Sequence, residues 1–128
     1  MRDYAYLAMS EPKDLYWIAS AYKDLLSFPD EVRDLMGYAL YRAQIGEKHD
    51  KAKVLKGFGG AGVLEIVDDE LGDTYRGVYT VKFQDAVYVL HCFKKKSKSG
   101  IATPKADIDL ITLRLKAAEA DYKLRNPK

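Results

Sequence analysis

Between Lys53 and Lys98 the chain gathers the residue types that phosphodiester chemistry uses. Cutting RNA without a metal needs help in removing the ribose 2′-OH proton, positive charge around the phosphorane-like transition state, and a proton for the leaving oxygen. Arg76 is the leading candidate for a phosphate clamp, because its planar fork stays charged and matches phosphate geometry. Lys95 adds charge beside it. His91 can give or take a proton near neutral pH, while Glu65 and the phenols of Tyr75 and Tyr79 are weaker candidates for the same work. Lys95 belongs to the run KKKSKS, where Lys94, Lys95, Lys96 and Lys98 fall among five residues with no acid nearby. A solvated loop tolerates such a run, yet its place beside the end of a strand suits a phosphate site. Lys53 and Lys56, in the basic stretch EKHDKAKVLK, supply a second cationic group.

These residues converge only if the elements that carry them line up. Val63 to Asp68, Thr74 to Lys82 and Ala86 to Phe93 read as three strands of an antiparallel meander. A four-residue hairpin loop at 69–72 sets Glu65 opposite Arg76, and a tight turn at Gln84 and Asp85 sets Arg76 opposite Phe93 and Val78 opposite His91. One face then carries Glu65, Arg76 and His91, Lys95 continues it, and Lys94 and Lys96 point away. Glu65 facing Arg76 reads, on its own, more readily as a cross-strand ion pair than as a catalytic couple, the commoner role of such pairs. A lone strand histidine such as His91 is as often a hydrogen-bonded structural residue as a proton carrier.

Ahead of the meander, LYWIA at 15–19 is a short β-type run, followed by a short helix from Ser20 that must stop before Pro29. Pro29, Asp30 and Glu31 open a second helix, in which Val32, Leu35, Met36, Ala39, Leu40 and Ala43 recur at helical spacing and Gly46 ends the run. The basic stretch at 47–56 reads as a loop. Thr103 and Pro104 form an N-cap and first-turn pair for a last helix, with Ile108, Ile111, Leu115 and Ala118 at core spacing. Residues 1–14 form an irregular lead-in and residues 15–124 one α+β domain, with helices that need a sheet face to bury their stripes.

Composition bounds the rest. The 128 residues are 48% hydrophobic, enough for one two-layer core. A formal net charge of +2 gives no strong overall field, so affinity for a polyanion must come from local clustering. The lone cysteine, Cys92, has no internal disulfide partner and reads as a small core side chain. Neither a signal-peptide h-region nor a bilayer-length apolar run occurs, which points to a cytoplasmic chain without a membrane role. GFGGAG at 57–62 satisfies G-x-G-x-x-G literally, but it leads into a strand, whereas a dinucleotide fingerprint opens a helix, so nucleotide binding through it is rejected. No cofactor or metal motif appears.

From Leu15 to Tyr122 the sequence resembles the RelE/HigB-type toxins of bacterial type II toxin–antitoxin systems, in their phage-associated branch. The resemblance rests on KVLKGFGGAGVLEI at 53–66, DTYRGVYTV at 73–81 and YVLHCFKKKSKSGIATPKADI at 88–108. It implies a RelE-like antiparallel sheet with N-terminal helices and a C-terminal helix packed on it, ribosome-dependent cleavage of messenger RNA, and a cognate antitoxin carrying a helix-turn-helix domain. Arg76 matches the arginine that serves the RNA site on the middle meander strand, and Lys95, with Lys94 and Lys96 as close alternatives, matches the basic residue after the next strand. Lysines ahead of or on the first meander strand bind RNA in better-known members. Here Lys53 and Lys56 precede that strand, which itself carries Glu65. Two other functions remain open on the same residues: a ParE-like toxin that poisons DNA gyrase without catalysis, and an RNA-binding phage accessory protein whose lysines only position phosphates.

Overall fold

The computed structural model describes residues 11–96 and 102–127. Lys98 and most of the lead-in lie outside the described residues, as does the side chain of Lys96. In chain order the elements are β1 (Asp14–Trp17), α1 (Ala21–Leu26), α2 (Asp30–Gln44), β2 (Ala52–Val54), β3 (Val63–Glu70), β4 (Asp73–Thr80), β5 (Ala86–Lys96) and α3 (Lys105–Arg125). The strands form one open sheet in the order β1-β5-β4-β3-β2. All neighbours are antiparallel except β1, which runs parallel to β5. The stretch read as a loop at 47–56 thus contains the edge strand β2, whose alternation is too short to register as a strand pattern. The fold is α+β, as expected.

Helices α1 and α2 cover one face of the sheet and α3 covers the other, so the molecule has two apolar clusters separated by the strands. Helix α2 begins after Pro29 with Asp30 and Glu31 in its first turn, where carboxylates meet the positive end of the helix dipole. Val32, Met36, Ala39, Leu40 and Ala43 form its buried stripe. Gly46, at φ +85°, turns the chain away after the helix and donates its N–H to Ala43 O at 3.0 Å. On the opposite face Ile111, Leu115 and Ala118 of α3 pack against Val63, Val78, Tyr88 and Leu90.

Two details of register decide what meets what. The β3–β4 hairpin closes on two residues, Leu71 (φ 51°) and Gly72 (φ 88°), both in the left-handed region that a type I′ turn requires. Glu70 therefore pairs with Asp73, Glu65 with Val78, and Arg76 with Val67. The expected four-residue loop, which set Glu65 opposite Arg76, is two residues too long. A shift of two leaves every side chain on its face, so Glu65 and Arg76 remain diagonal neighbours. In the β4–β5 pair, Arg76 faces Phe93 and Val78 faces His91 as expected, although the connection is longer than the tight turn read at Gln84 and Asp85. The register then shifts by one between Val78 and Tyr79, whose partner is Val89, leaving Leu90 as the extra residue of a bulge. Both Leu90 and His91 turn toward α3 as a result.

The glycine-rich segment links β2 to β3 and opens no helix. Gly62, at φ +62°, runs so close to the start of the β4–β5 connection that a Cβ there would lie 3.3 Å from Lys82 N. Among the described residues no helix is long and apolar enough to cross a membrane.

Candidate active site

The α3 face of the sheet carries a row across four strands: Lys53 on β2 pairs with Glu65 on β3, Glu65 with Val78 on β4, and Val78 with His91 on β5. Arg76 and Phe93 form the adjacent row, and Lys95, paired with Thr74, continues it. At the centre lies a buried ion pair. Arg76 Nη1 donates to Glu65 Oε1 at 3.3 Å and to Oε2 at 3.2 Å, and both side chains are only 2% exposed. Thr103, just ahead of α3, closes the triangle: its hydroxyl donates to Glu65 Oε2 at 2.9 Å and accepts from Arg76 Nη1 at 3.2 Å. Burying two opposite charges is tolerable only when such additional bonds satisfy them, and the threonine provides one.

A cavity of about 460 Å³ opens above this triangle. Glu65 and Thr103 contribute its polar floor, Leu55 and Ile108 apolar walls, and Lys53 and Lys56 its charge. Lys53 is exposed and Lys56 exposed beside it at the rim. Arg76 does not line the cavity; it sits behind the carboxylate and the threonine. The cavity is therefore floored by one almost fully buried carboxylate held from below and rimmed by two ammonium groups, an arrangement suited to an anionic ligand that also offers a hydroxyl or N–H to the acid.

Lys95 shares the face of Arg76 but turns inward, donating from Nζ to Ala102 O at 3.0 Å and so fastening the chain just before Thr103 to the end of β5. Lys94 leaves on the other face, its Nζ 3.8 Å from Asp73 Oδ2. His91 is buried, with Nε2 2.7 Å from Asp107 Oδ1, Nδ1 3.5 Å from Arg114 Nη1, and its ring stacked on Phe93 at 4.6 Å between centroids. Arg114 also donates to Leu90 O at 3.0 Å. With both ring nitrogens engaged by α3, the histidine ties that helix to the sheet. Tyr79 is separated from the cavity by the sheet itself: it is buried in the cluster under α1 and α2, where burial pushes its phenol up to about 12. Tyr75 lies on that same face, edge-on to Phe28.

Thus Lys53, Lys56 and Glu65 meet at one cavity with Arg76 directly behind, Lys95 and His91 brace its surroundings, and Tyr79 stands apart. Thr103, Asp107 and Arg114 are partners that sequence reasoning missed. Thr103 was expected to cap α3, but Pro104 is the N-cap residue and makes no side-chain capping bond, which leaves the threonine hydroxyl for Glu65. No local pattern marks any of the three, since their partners lie 38, 16 and 23 positions away. Among the described residues no three His, Cys, Asp or Glu side chains cluster closely enough to hold a metal ion.

A five-stranded, mostly antiparallel open sheet with paired N-terminal helices on one face and a C-terminal helix on the other is compatible with the RelE-like fold. The family described as Phage derived protein Gp49-like (DUF891), which is of RelE-like toxin type, matches residues 23–116, a span that includes every residue of the triangle and of the cavity. The chain belongs to this family. No curated protein matches it.

Proposed function

We propose that the protein is a toxin of the messenger-RNA-cleaving kind, an endoribonuclease acting on transcripts held by the ribosome in the cytoplasm and silenced by a cognate helix-turn-helix antitoxin. The observation that carries this reading is the convergence of Lys53, Lys56 and Glu65, backed by Arg76 and Thr103, on one cavity. Of the acid–base candidates Glu65, His91, Tyr75 and Tyr79, Glu65 alone reaches the cavity; His91 is held by Asp107 and Arg114, and both phenols are on the far face. In the proposed reaction Glu65 takes the ribose 2′-OH proton. The 2′-oxygen bonds to phosphorus as the bond from phosphorus to the 5′-oxygen breaks, giving a 2′,3′-cyclic phosphate, and the departing oxygen takes a proton from a rim lysine. The ammonium groups and the guanidinium supply positive charge to the transition state, where negative charge accumulates.

Expression of the chain alone should arrest growth and yield transcripts with new internal 5′ ends. Arg76→Lys combined with Lys95→Ala retains the charge of the buried pair but removes the fork and the tether, and should abolish both effects while circular dichroism remains unchanged. Intact transcripts beside blocked gyrase supercoiling would replace this reading with a ParE-like one. Salt-sensitive RNA binding with neither cleavage nor toxicity would leave a non-catalytic RNA-binding module.

A further inference from the structure

Resting on the proposed reaction, we infer that the carboxylate of Glu65 occupies the seat of the scissile phosphate on Arg76, and that RNA binding exchanges one anion for the other. The guanidinium is the strongest phosphate ligand on this face, yet it stands behind the cavity floor with Nη1 spread across both carboxylate oxygens at 3.3 and 3.2 Å. A carboxylate and a phosphodiester each present a pair of anionic acceptor oxygens to a guanidinium N–H, so one can stand in for the other. Among the described residues, Glu65 and Thr103 both bond Arg76 Nη1 and both line the cavity. Once the carboxylate moves aside, a phosphate oxygen entering from the cavity takes its place on Nη1.

The exchange also gives the acid somewhere to go. Lys53 pairs directly with Glu65 across β2 and β3, on the same face, and lines the same cavity, so an ammonium is at hand once the guanidinium turns to phosphate. Thr103 keeps its donor bond to Oε2 available throughout, which holds the carboxylate near the incoming 2′-OH. A single event then does two things: it recruits Arg76 to the reacting phosphate and frees Glu65 to accept a proton. While the cavity is empty the carboxylate is committed to the guanidinium, which makes the phosphate of the substrate the trigger of its own cleavage.

Glu65→Gln removes the competing charge while retaining the shape and one acceptor oxygen. Its binding of an uncleavable RNA oligonucleotide, 2′-O-methylated at every position, should tighten about tenfold relative to the wild type, as expected when a neutral amide replaces a charge-assisted partner, while cleavage of ordinary RNA is lost. Unchanged or weaker binding by a folded Glu65→Gln protein would overturn the exchange. A second measurement needs no variant: in the wild-type chain, titration with the same oligonucleotide should move the Arg76 guanidinium nitrogen and the Glu65 carboxyl carbon resonances together. Shifts at Lys53 and Lys56 with none at Arg76 would place the phosphate at the rim alone and refute the proposal. Failure of the wild type to cut any RNA would count against the reaction itself, and is read separately from both binding results.

Discussion

Replacing Lys53 and Lys56 together by alanine separates a phosphate-binding rim from a solvated basic surface. Both side chains are exposed and line the cavity, and neither forms a salt bridge among the described residues. Their removal should leave folding stability within about 0.5 kcal/mol of wild type, the usual range for surface positions. RNA binding behaves differently. Each phosphate neutralised on a single strand adds about 0.7 to the slope of log affinity against log salt. A variant that neutralises two fewer phosphates should therefore show a slope flatter by about 1.4. Between 50 and 200 mM salt, a fourfold change, that difference amounts to about a sevenfold smaller loss of affinity for the variant than for the wild type. Fluorescence anisotropy with a labelled 2′-O-methyl RNA oligonucleotide at several salt concentrations measures it directly. Parallel slopes for the two proteins would show that neither lysine touches a phosphate and would remove the electrostatic basis of the site.

The packing and the buried acids make two further predictions. Gly77 sits on central strand β4 with α2 pressed against it, and a Cβ there would lie 3.0 Å from Met36 Sδ, so Gly77→Ala should cost about 1–3 kcal/mol in urea unfolding, and adding Met36→Ala should not compound that cost in full. Burial pushes the Cys92 thiol from 9.0 up to about 12 and the Tyr79 phenol from 10.0 up to about 12. Above pH 9 the unfolded chain therefore sheds protons that the native chain retains, so stability is fully present below pH 9 and should fall as pH rises from there toward 12, while the native thiol stays inert to iodoacetamide at pH 8. Constant stability up to pH 11, or rapid alkylation of the folded protein, would contradict this placement of Cys92.

Much of this molecule follows from short-range chemistry that a sequence exposes. The stripe Val32, Met36, Ala39, Leu40 and Ala43 is a helix because 3.6-residue spacing leaves one face to bury, and Pro29 and Gly46 bound it through backbone geometry that belongs to those residue types. Alternation assigned Glu65, Arg76, His91 and Lys95 to one face of the meander, and the assignment survived a hairpin two residues tighter than expected because side-chain direction in a strand repeats every two residues. Whether Glu65 meets the cavity or Arg76 does, by contrast, depends on pairings that span tens of residues. The triangle exists only because Thr103, 38 positions beyond Glu65, is delivered by the start of α3 to the same carboxylate. His91 becomes a brace because a bulge at Leu90 and the first turn of α3 bring Asp107 within 2.7 Å of it. Away from the bulge at Leu90, periodicity thus determined which face each residue takes, while the closing of long loops onto that face decided which of them touch, since a hydrogen-bond partner is chosen by distance in space and leaves no local pattern along the chain.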